Sequence, residues 1–343
     1  MNRSFFLFLQ LTLVLTYAQS QEFNFEFEGV TINGVLTQPN ETPKGLVLVV
    51  HGSGRTNAVA QNWHGDVRHA ITQAGYATYM YDKQGCGKSE GTFDYNQPVQ
   101  NSAQEVIAAI KALKAKNAPG SQTIGLWGIS RAGWINPLVI KAYADIQFWI
   151  SVSGVYAREN FNYLLEENLR IEGLPKDSVD LLVREWAEGN RIMHAGGSFE
   201  VAQAATQNLR KNAFLDRFNN GNQITKDAYT AYQKDFMNEA FDETTGQQIY
   251  IPNFEQLLSK VDCPVLAVFG EKDKNVDWRI TKALYEKTLG PKGQLTIHSY
   301  PKANHNLFAC ETGGFFEFQD HKLPYIRPAG YLEGMIKWLY QLD

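Results

Sequence analysis

Thr123-Ile124-Gly125-Leu126-Trp127-Gly128-Ile129-Ser130-Arg131-Ala132-Gly133-Trp134 is the stretch from which the rest of the chain can be read. Residues 123–127 form a short β-type run, and 134–144 carry a helical pattern. Between them sits a serine whose neighbours at −2 and +2, Gly128 and Ala132, are both tiny. This spacing predicts a nucleophile elbow. The turn would hold Ser130 in a strained backbone conformation, where larger side chains at ±2 would collide with each other or with the next strand. It would lift the hydroxyl out of the sheet and aim the N–H groups of the helix start at any charge developing there. Ala132 departs from the strict Gly-x-Ser-x-Gly pattern. On these residues alone, an ordinary strand-to-helix turn with a helix-capping serine stays open.

A serine nucleophile needs a base, an acid to orient the base, and donors for an oxyanion. In an elbow architecture the partners follow in the order Ser, acid, His, each in a loop after a strand. Residues 263–270 read as a buried parallel strand leading into Glu271-Lys272-Asp273-Lys274-Asn275-Val276-Asp277. Residues 295–300 read as the next strand, leading into Lys302-Ala303-Asn304-His305-Asn306-Leu307. His305 is therefore the expected base and Asp273 the expected acid, with Asp277 and then Glu271 as rivals. The other six histidines fit less well: His51 opens a Gly-rich loop, His64 and His69 fall in an expected first helix, His194 in a helical insertion, His298 inside a strand and His321 in a polar loop. On the oxyanion side, an apolar strand over 45–50 ends in His51-Gly52-Ser53-Gly54, a loop small enough for backbone N–H groups to approach a substrate oxygen. The N–H groups of Ser53 and Arg131 are the expected donors.

These motifs together resemble the α/β-hydrolases over nearly the whole chain after the first 20 or so residues. His51-Gly52-Ser53-Gly54 resembles the family's oxyanion loop. Asp82-Lys83-Gln84-Gly85-Cys86-Gly87-Lys88-Ser89 resembles its D-x-x-G-x-G-x-S stretch, Gly270-x-x-Asp273 its acid loop, and Ala303-Asn304-His305 its histidine loop. The combination is most similar to secreted bacterial members near the serine aminopeptidase-like and prolyl-oligopeptidase-like branches, many of which are esterases. The resemblance implies an α/β-hydrolase fold: a mostly parallel sheet with helices on both faces and an inserted helical cap.

The alternation of strands and helices over the chain argues for the same layering. Residues 22–28 alternate with Phe23, Phe25 and Phe27 on one face, which predicts a half-buried strand, and 30–37 its hairpin partner, with Asn33-Gly34 marking a turn or bulge. Residues 46–50, 76–82 and 147–153 read as strands, 59–74 and 99–116 as helices. The alternation stops over 155–258, a stretch rich in helical spacing, and resumes at 265. This divides the chain into a core of 21–154 and 259–343 and a helical cap of 155–258 over the site. Phe161, Tyr163, Trp186, Phe214, Phe218, Tyr229, Tyr232 and Phe236 of the cap are candidates to line an acyl or side-chain pocket.

With 343 residues, 44% of them hydrophobic, the chain can bury a full α/β core plus an insertion. Its net charge of −4 offers no basic stripe for a nucleic acid. Met1-Asn2-Arg3, an apolar run over 5–14 and the small residues Ala18 and Ser20 predict a secretory signal peptide over 1–20, hence a secreted or periplasmic protein with no membrane anchor in its mature form. Three cysteines leave one unpaired at least. Cys263 precedes a strand while Cys86 and Cys310 follow strands, about 17–20 Å away, beyond the ~7 Å reach of a disulfide. A bond between Cys86 and Cys310 stays open.

Competing chemistries fail on spacing. Gly85-Cys86-Gly87-Lys88-Ser89 ends like a phosphate-binding loop, but Asp82 stands where its first glycine is required. A dinucleotide-binding glycine pattern and an H-E-x-x-H zinc pattern are both missing, so neither cofactor nor metal is expected. The expectation is a cofactor-free serine hydrolase of a carboxylic ester, taking a small-molecule substrate, with oligomeric state open. Hydrolysis of short peptides is the alternative, in which Glu166, Glu167 or Glu172 would bind a substrate amine. A catalytically inactive binding protein on the same scaffold is the alternative of another class.

Overall fold

The structure, a computed structural model, describes residues 19–342, so all but the last two residues of the expected signal peptide lie outside the described part. The described chain starts with β1 (Gln19–Glu22), β2 (Phe25–Phe27), β3 (Val30–Ile32) and β4 (Gly34–Gln38). The single strand expected over 22–28 is broken at Asn24, whose side-chain oxygen accepts from Asn33 Nδ2 (3.0 Å) and Gly34 N (3.2 Å). β2 and β3 form a small antiparallel sheet, while β1 pairs with β4. Gly34 has a steric cause: a Cβ there would lie 2.2 Å from the Tyr79 hydroxyl.

β5 (Leu46–Val50), α1 (Gly65–Gln73), β6 (Ala77–Tyr81), α2 (Val99–Ala115), β7 (Ile124–Ile129), α3 (Ala132–Ala142) and β8 (Ile146–Val152) follow. The first helix is shorter than its 59–74 pattern predicts, and His64 lies outside it. His64 sits in the left-handed region at φ +48°, which a right-handed helix cannot contain. The turns before it are tied down by Val59 N donating to Asp82 Oδ1 at 3.0 Å.

The long interruption comprises α4 (Phe161–Ile171), α5 (Lys176–His194), α6 (Phe199–Ala205), α7 (Ala213–Phe218), α8 (Lys226–Phe236), a two-residue hairpin of β9 (Phe241–Asp242) and β10 (Gln247–Gln248), and α9 (Phe254–Leu258). Ser198, Asn212 and Thr225 each accept a hydrogen bond from the third residue of the helix they open, which fixes the starts of α6, α7 and α8. Leu164, Leu165, Leu169, Val179, Leu182 and Phe214 form a core of the insert's own. Phe254 and Leu258 of α9 instead join the core beneath the sheet. The chain then completes the sheet through β11 (Val265–Gly270), α10 (Trp278–Thr288) and β12 (Leu295–Tyr300), and ends with α11 (Glu317–Asp320) and α12 (Tyr331–Leu339).

Eight strands hydrogen-bond in the order β1-β4-β6-β5-β7-β8-β11-β12. The six from β6 to β12 are parallel, and β4 and β1 extend the edge antiparallel. Leu46, Leu48 and Val50 of β5 face a core shared with α2, α3 and α10, whereas Val47 and Val49 face one shared with α1 and α12. With helices on both faces, each position of a central strand is buried, so β5, β7 and β11 read as unbroken apolar runs. The chain leaves β5 for β6 on one side and returns to β7 on the other. The loops after β5 and β7 therefore diverge at the carboxyl ends of adjacent strands, the crevice where open α/β sheets bind ligands.

No described helix is long and apolar enough to cross a membrane. Cys86, Cys263 and Cys310 are all free thiols, so the Cys86–Cys310 bond left open by the sequence is not made.

Candidate active site

β7 runs directly into Ser130, which sits at φ +56° before α3 begins. A non-glycine residue held there stores about 1–3 kcal/mol of backbone strain. Ser130 N donates to Val152 O (3.0 Å) and Ser130 O accepts from Gly133 N (2.7 Å), which locks the turn. The small flanking residues are sterically required. A Cβ on Gly128 would lie 2.6 Å from the Ala132 Cβ and 2.5 Å from Asn136 Nδ2. Alanine therefore suffices at the second position as long as glycine holds the first.

The loop after β5 lies against this turn: a Cβ on Gly52 would come within 3.5 Å of the Ser130 Cβ. His51 anchors it from behind, donating through Nε2 to Tyr81 O. Burial, then the nearby Lys83 charge, pull the His51 pKa down to about 3, so its ring stays neutral and structural. Arg131 directs its guanidinium away from Ser130, to Ser102 Oγ (3.0 Å) and Gln97 O.

The acid and histidine loops pack on each other so closely that a Cβ on Gly270 would lie 2.4 Å from the carbonyl oxygens of Ala303 and Asn304. Asp273 is buried, and its Oδ2 accepts from His305 Nδ1 at 2.7 Å. Its Oδ1 accepts from the backbone N–H groups of Asn275 (2.8 Å) and Val276 (2.9 Å). Asp277 is committed elsewhere, capping α10 through Arg279 N and pairing with the Arg279 side chain, and Glu271 is exposed. Ser153 Oγ holds the His305 carbonyl at 2.6 Å.

Two supports of these loops gave no signal in the sequence. The first comes from the start of the insert. Asn160 Nδ2 donates to Asn275 O (2.5 Å), the Tyr163 hydroxyl to Asp273 O (3.0 Å) and Asn168 Nδ2 to Lys274 O (3.2 Å). The second is Glu317, whose carboxylate accepts from the N–H groups of Glu311 (2.7 Å), Thr312 (3.1 Å) and Gly313 (2.6 Å) and from the Thr312 hydroxyl (2.7 Å). Burial alone would raise the Glu317 pKa, but these donors hold it below its ordinary value. A depressed carboxylate stabilises the fold fully above its unfolded pKa of about 4.3 and loses that contribution as pH falls through the folded value. Glu317→Gln is therefore expected to lower Tm at pH 7, with the difference from the parent narrowing as pH is taken from 5 towards 3. Melting curves across that range check it.

Ser53, Ser130, Arg131 and His305 all open into one cavity of about 1410 Å³, roofed by the insert. Phe161, Trp186, Phe218, Tyr229, Tyr232 and Phe236 line it as expected. Tyr163 and Phe214 are not among its lining residues: the Tyr163 hydroxyl bonds Asp273 O, and Phe214 is buried in the insert's own core. The three acids considered for amine binding also lie outside it. Glu166 pairs with Arg170, Glu167 with Lys274, and Glu172 is exposed. Five other acids do line the cavity wall, Asp94, Glu159, Asp216, Asp235 and Glu239, and of these Glu159 accepts from Trp186 Nε1 (3.0 Å) and Asn190 Nδ2 (3.4 Å). Burial pushes its pKa up to about 7, against the lowering effect of the Trp186 hydrogen bond and of backbone hydrogen bonds at Gln248 and Phe161. Among the described residues, no group of three or more His, Cys, Asp or Glu side chains is placed to hold a metal ion.

No curated protein matches the chain in sequence. Solved structures share its fold at low identity. The esterase Pf2001 of Pyrococcus furiosus superposes with a TM-score of 0.54 at 14% identity, covering 95% of this chain and 94% of that one. A thermostable carboxyl esterase from Bacillus coagulans gives 0.52 at 16%, covering 95% and 99%. The proline iminopeptidase of Mycobacterium smegmatis gives 0.50 at 15%, covering 94% and 99%. Residues 41–312, from before the loop of residues 51–54 to beyond the loop that carries His305, match the family model described as serine aminopeptidase, S33, and the chain thus belongs to that family of α/β-hydrolases.

Proposed function

We propose that this hydrolase cleaves a carboxylic ester through an acyl-enzyme on Ser130. The observation that carries the reading is the convergence of three loops on one cavity: Ser130 on its strained turn, His305 with Nδ1 tied to Asp273, and Ser53 beside them. With Nδ1–H donated to Asp273, His305 Nε2 is free to accept the Ser130 proton as Oγ attacks the carbonyl carbon. The N–H groups of Ser53 and Arg131 take the negative charge of the tetrahedral oxygen. Its collapse expels the alcohol, which receives the proton from His305. Water, deprotonated by the same ring, then releases the acid and restores Ser130. A cavity of about 1410 Å³ with eight aromatic residues of the insert in its lining, Phe199 and Tyr250 besides the six named above, favours a bulky acyl or alcohol group.

Glu159 favours a second reading, cleavage of short peptides. It is a carboxylate on the cavity wall whose hydrogen-bond donors, Trp186 and Asn190, carry no positive charge, and a substrate amine would supply one. A panel of aryl esters and aminoacyl arylamides separates the two: the ester reading expects turnover of the former to exceed the latter, and Glu159→Gln to leave it unchanged.

A fluorophosphonate probe tests both against a catalytically inactive binder. Stoichiometric labelling that maps to Ser130 is expected, and its absence in active-site-intact protein sinks the hydrolase mechanism. On the reading of residues 1–20 we place the enzyme outside the cytoplasm, secreted or periplasmic. Fractionation with N-terminal sequencing checks that, with Gln21 expected as the first residue.

A further inference from the structure

We propose that Lys83 is a positioning residue for the oxyanion loop, gripping two of its carbonyls from behind so that the Ser53 N–H is presented to the cavity. This inference rests on the reading of Ser130 as nucleophile. Lys83 stands two residues past β6 in a loop that is itself well anchored. Asp82 before it accepts from Val59 N (3.0 Å) and Lys88 N (3.1 Å), and its carbonyl accepts from Ser89 Oγ (2.7 Å). From this base the ammonium donates to Gly52 O at 2.6 Å and to Gly54 O at 2.8 Å.

The stereochemistry of the peptide bond gives the grip its meaning. In a trans peptide the C=O and the following N–H point in opposite directions. Drawing the Gly52 carbonyl towards Lys83 therefore turns the Ser53 N–H the other way. Gly52, Ser53 and Gly54 line the large cavity, while Ser53, Gly54 and Lys83 line a separate small one of about 140 Å³. The loop is thus a thin wall with the lysine on one side and the candidate reaction centre on the other. Gly54, at φ +83°, adopts the backbone that lets two carbonyls only two residues apart converge on one ammonium. His51, hydrogen-bonded to Tyr81 O, fixes the other end of the same wall.

The charge adds to the geometry. An ammonium on the carbonyl polarises the shared peptide and strengthens its N–H as a donor, and it stands close behind a developing oxyanion without touching it. The charged and titratable groups facing Lys83 are Arg131 at the start of α3, Glu105 of α2, Cys86 of its own loop and His51. Burial first, and Arg131 second, pull the Lys83 pKa down to about 8. The protonated form makes the grip, so turnover should decline as pH rises through 8 and above.

The test compares the parent, Lys83→Met and Lys83→Arg with p-nitrophenyl butyrate, each normalised to fluorophosphonate-labelled Ser130, with Tm measured in parallel. Lys83→Met is expected to lose about 10²-fold in kcat, on the scale of one oxyanion donor, with KM within about 3-fold and the decline above pH 8 gone. Lys83→Arg keeps the charge and two donors and should recover at least a tenth of the parent rate. If Lys83→Met retains kcat per labelled site within about 2-fold, or keeps the alkaline decline, Lys83 is a structural lysine and the proposal falls. A parent enzyme with no Ser130-dependent turnover overturns the hydrolase mechanism first and this inference with it.

Discussion

Ser130→Ala is expected to hydrolyse p-nitrophenyl butyrate about 10³-fold or more slowly than the parent, with little change in KM. The loss falls on kcat because the hydroxyl forms its bond to the substrate only on the way to the acyl-enzyme, whereas the cavity that binds the ester stays intact. The fold gives this variant an internal control. Ser130 occupies the left-handed region at φ +56°, and alanine bears the same strain there, so its Tm should stay near that of the parent. Ser130→Gly removes the strain and should be equally inactive yet more stable, by about 1 kcal/mol. An inactive and more stable glycine variant would identify the strain as a cost of the site's function. Equal melting of the alanine and glycine variants would show that the turn holds no such strain.

Asp273→Asn is expected to lower kcat by about 10³- to 10⁴-fold at neutral pH, the scale seen when the acid of such a triad becomes an amide. The surroundings of Asp273 determine how the amide must sit. Two backbone N–H groups, of Asn275 and Val276, point at the Oδ1 position. They would keep the amide oxygen there and turn its NH₂ towards His305 Nδ1. The ring would then have to accept at Nδ1 and carry its proton on Nε2, the tautomer that cannot take a proton from Ser130. Asp277→Asn is the companion measurement. Asp277 caps α10 and pairs with Arg279, so its change should cost at most about 1 kcal/mol of stability and leave kcat within about 2-fold. If Asp277→Asn proved the inactive variant and Asp273→Asn the active one, the acid would be misassigned.

The parts of this protein that were legible in the sequence share a physical reason. β5, β7 and β11 are buried on both faces, and that leaves an unbroken apolar run in the sequence of each. The order of the three loops could be read because each follows such a strand, and Gly128 and Ala132 could be read because sterics leave almost no other choice. What escaped notice depends on contacts between side chains and distant backbone, which have no period. Asn24 breaks the first strand by bonding Asn33 and Gly34, His64 ends a helical pattern early by its own φ, and Glu159 reaches the cavity from a stretch with no motif around it. Lys83 lies inside the Asp82–Ser89 motif, yet its contacts become visible only when Gly52 and Gly54 are folded against it.

The hold of Asn160, Tyr163 and Asn168 on the carbonyls of residues 275, 273 and 274 bears on how such enzymes can be recombined. It makes α4 a brace of the acid loop as much as a piece of roof. A chimera that exchanges the whole insert for a relative's would remove three clamps from the loop carrying Asp273 and would risk losing activity for reasons unrelated to substrate fit. The transferable unit begins after Ile171, where α4 ends. Helices α5 to α8 beyond that point can be exchanged to change what enters the cavity, while the brace stays with the acid loop it holds in place.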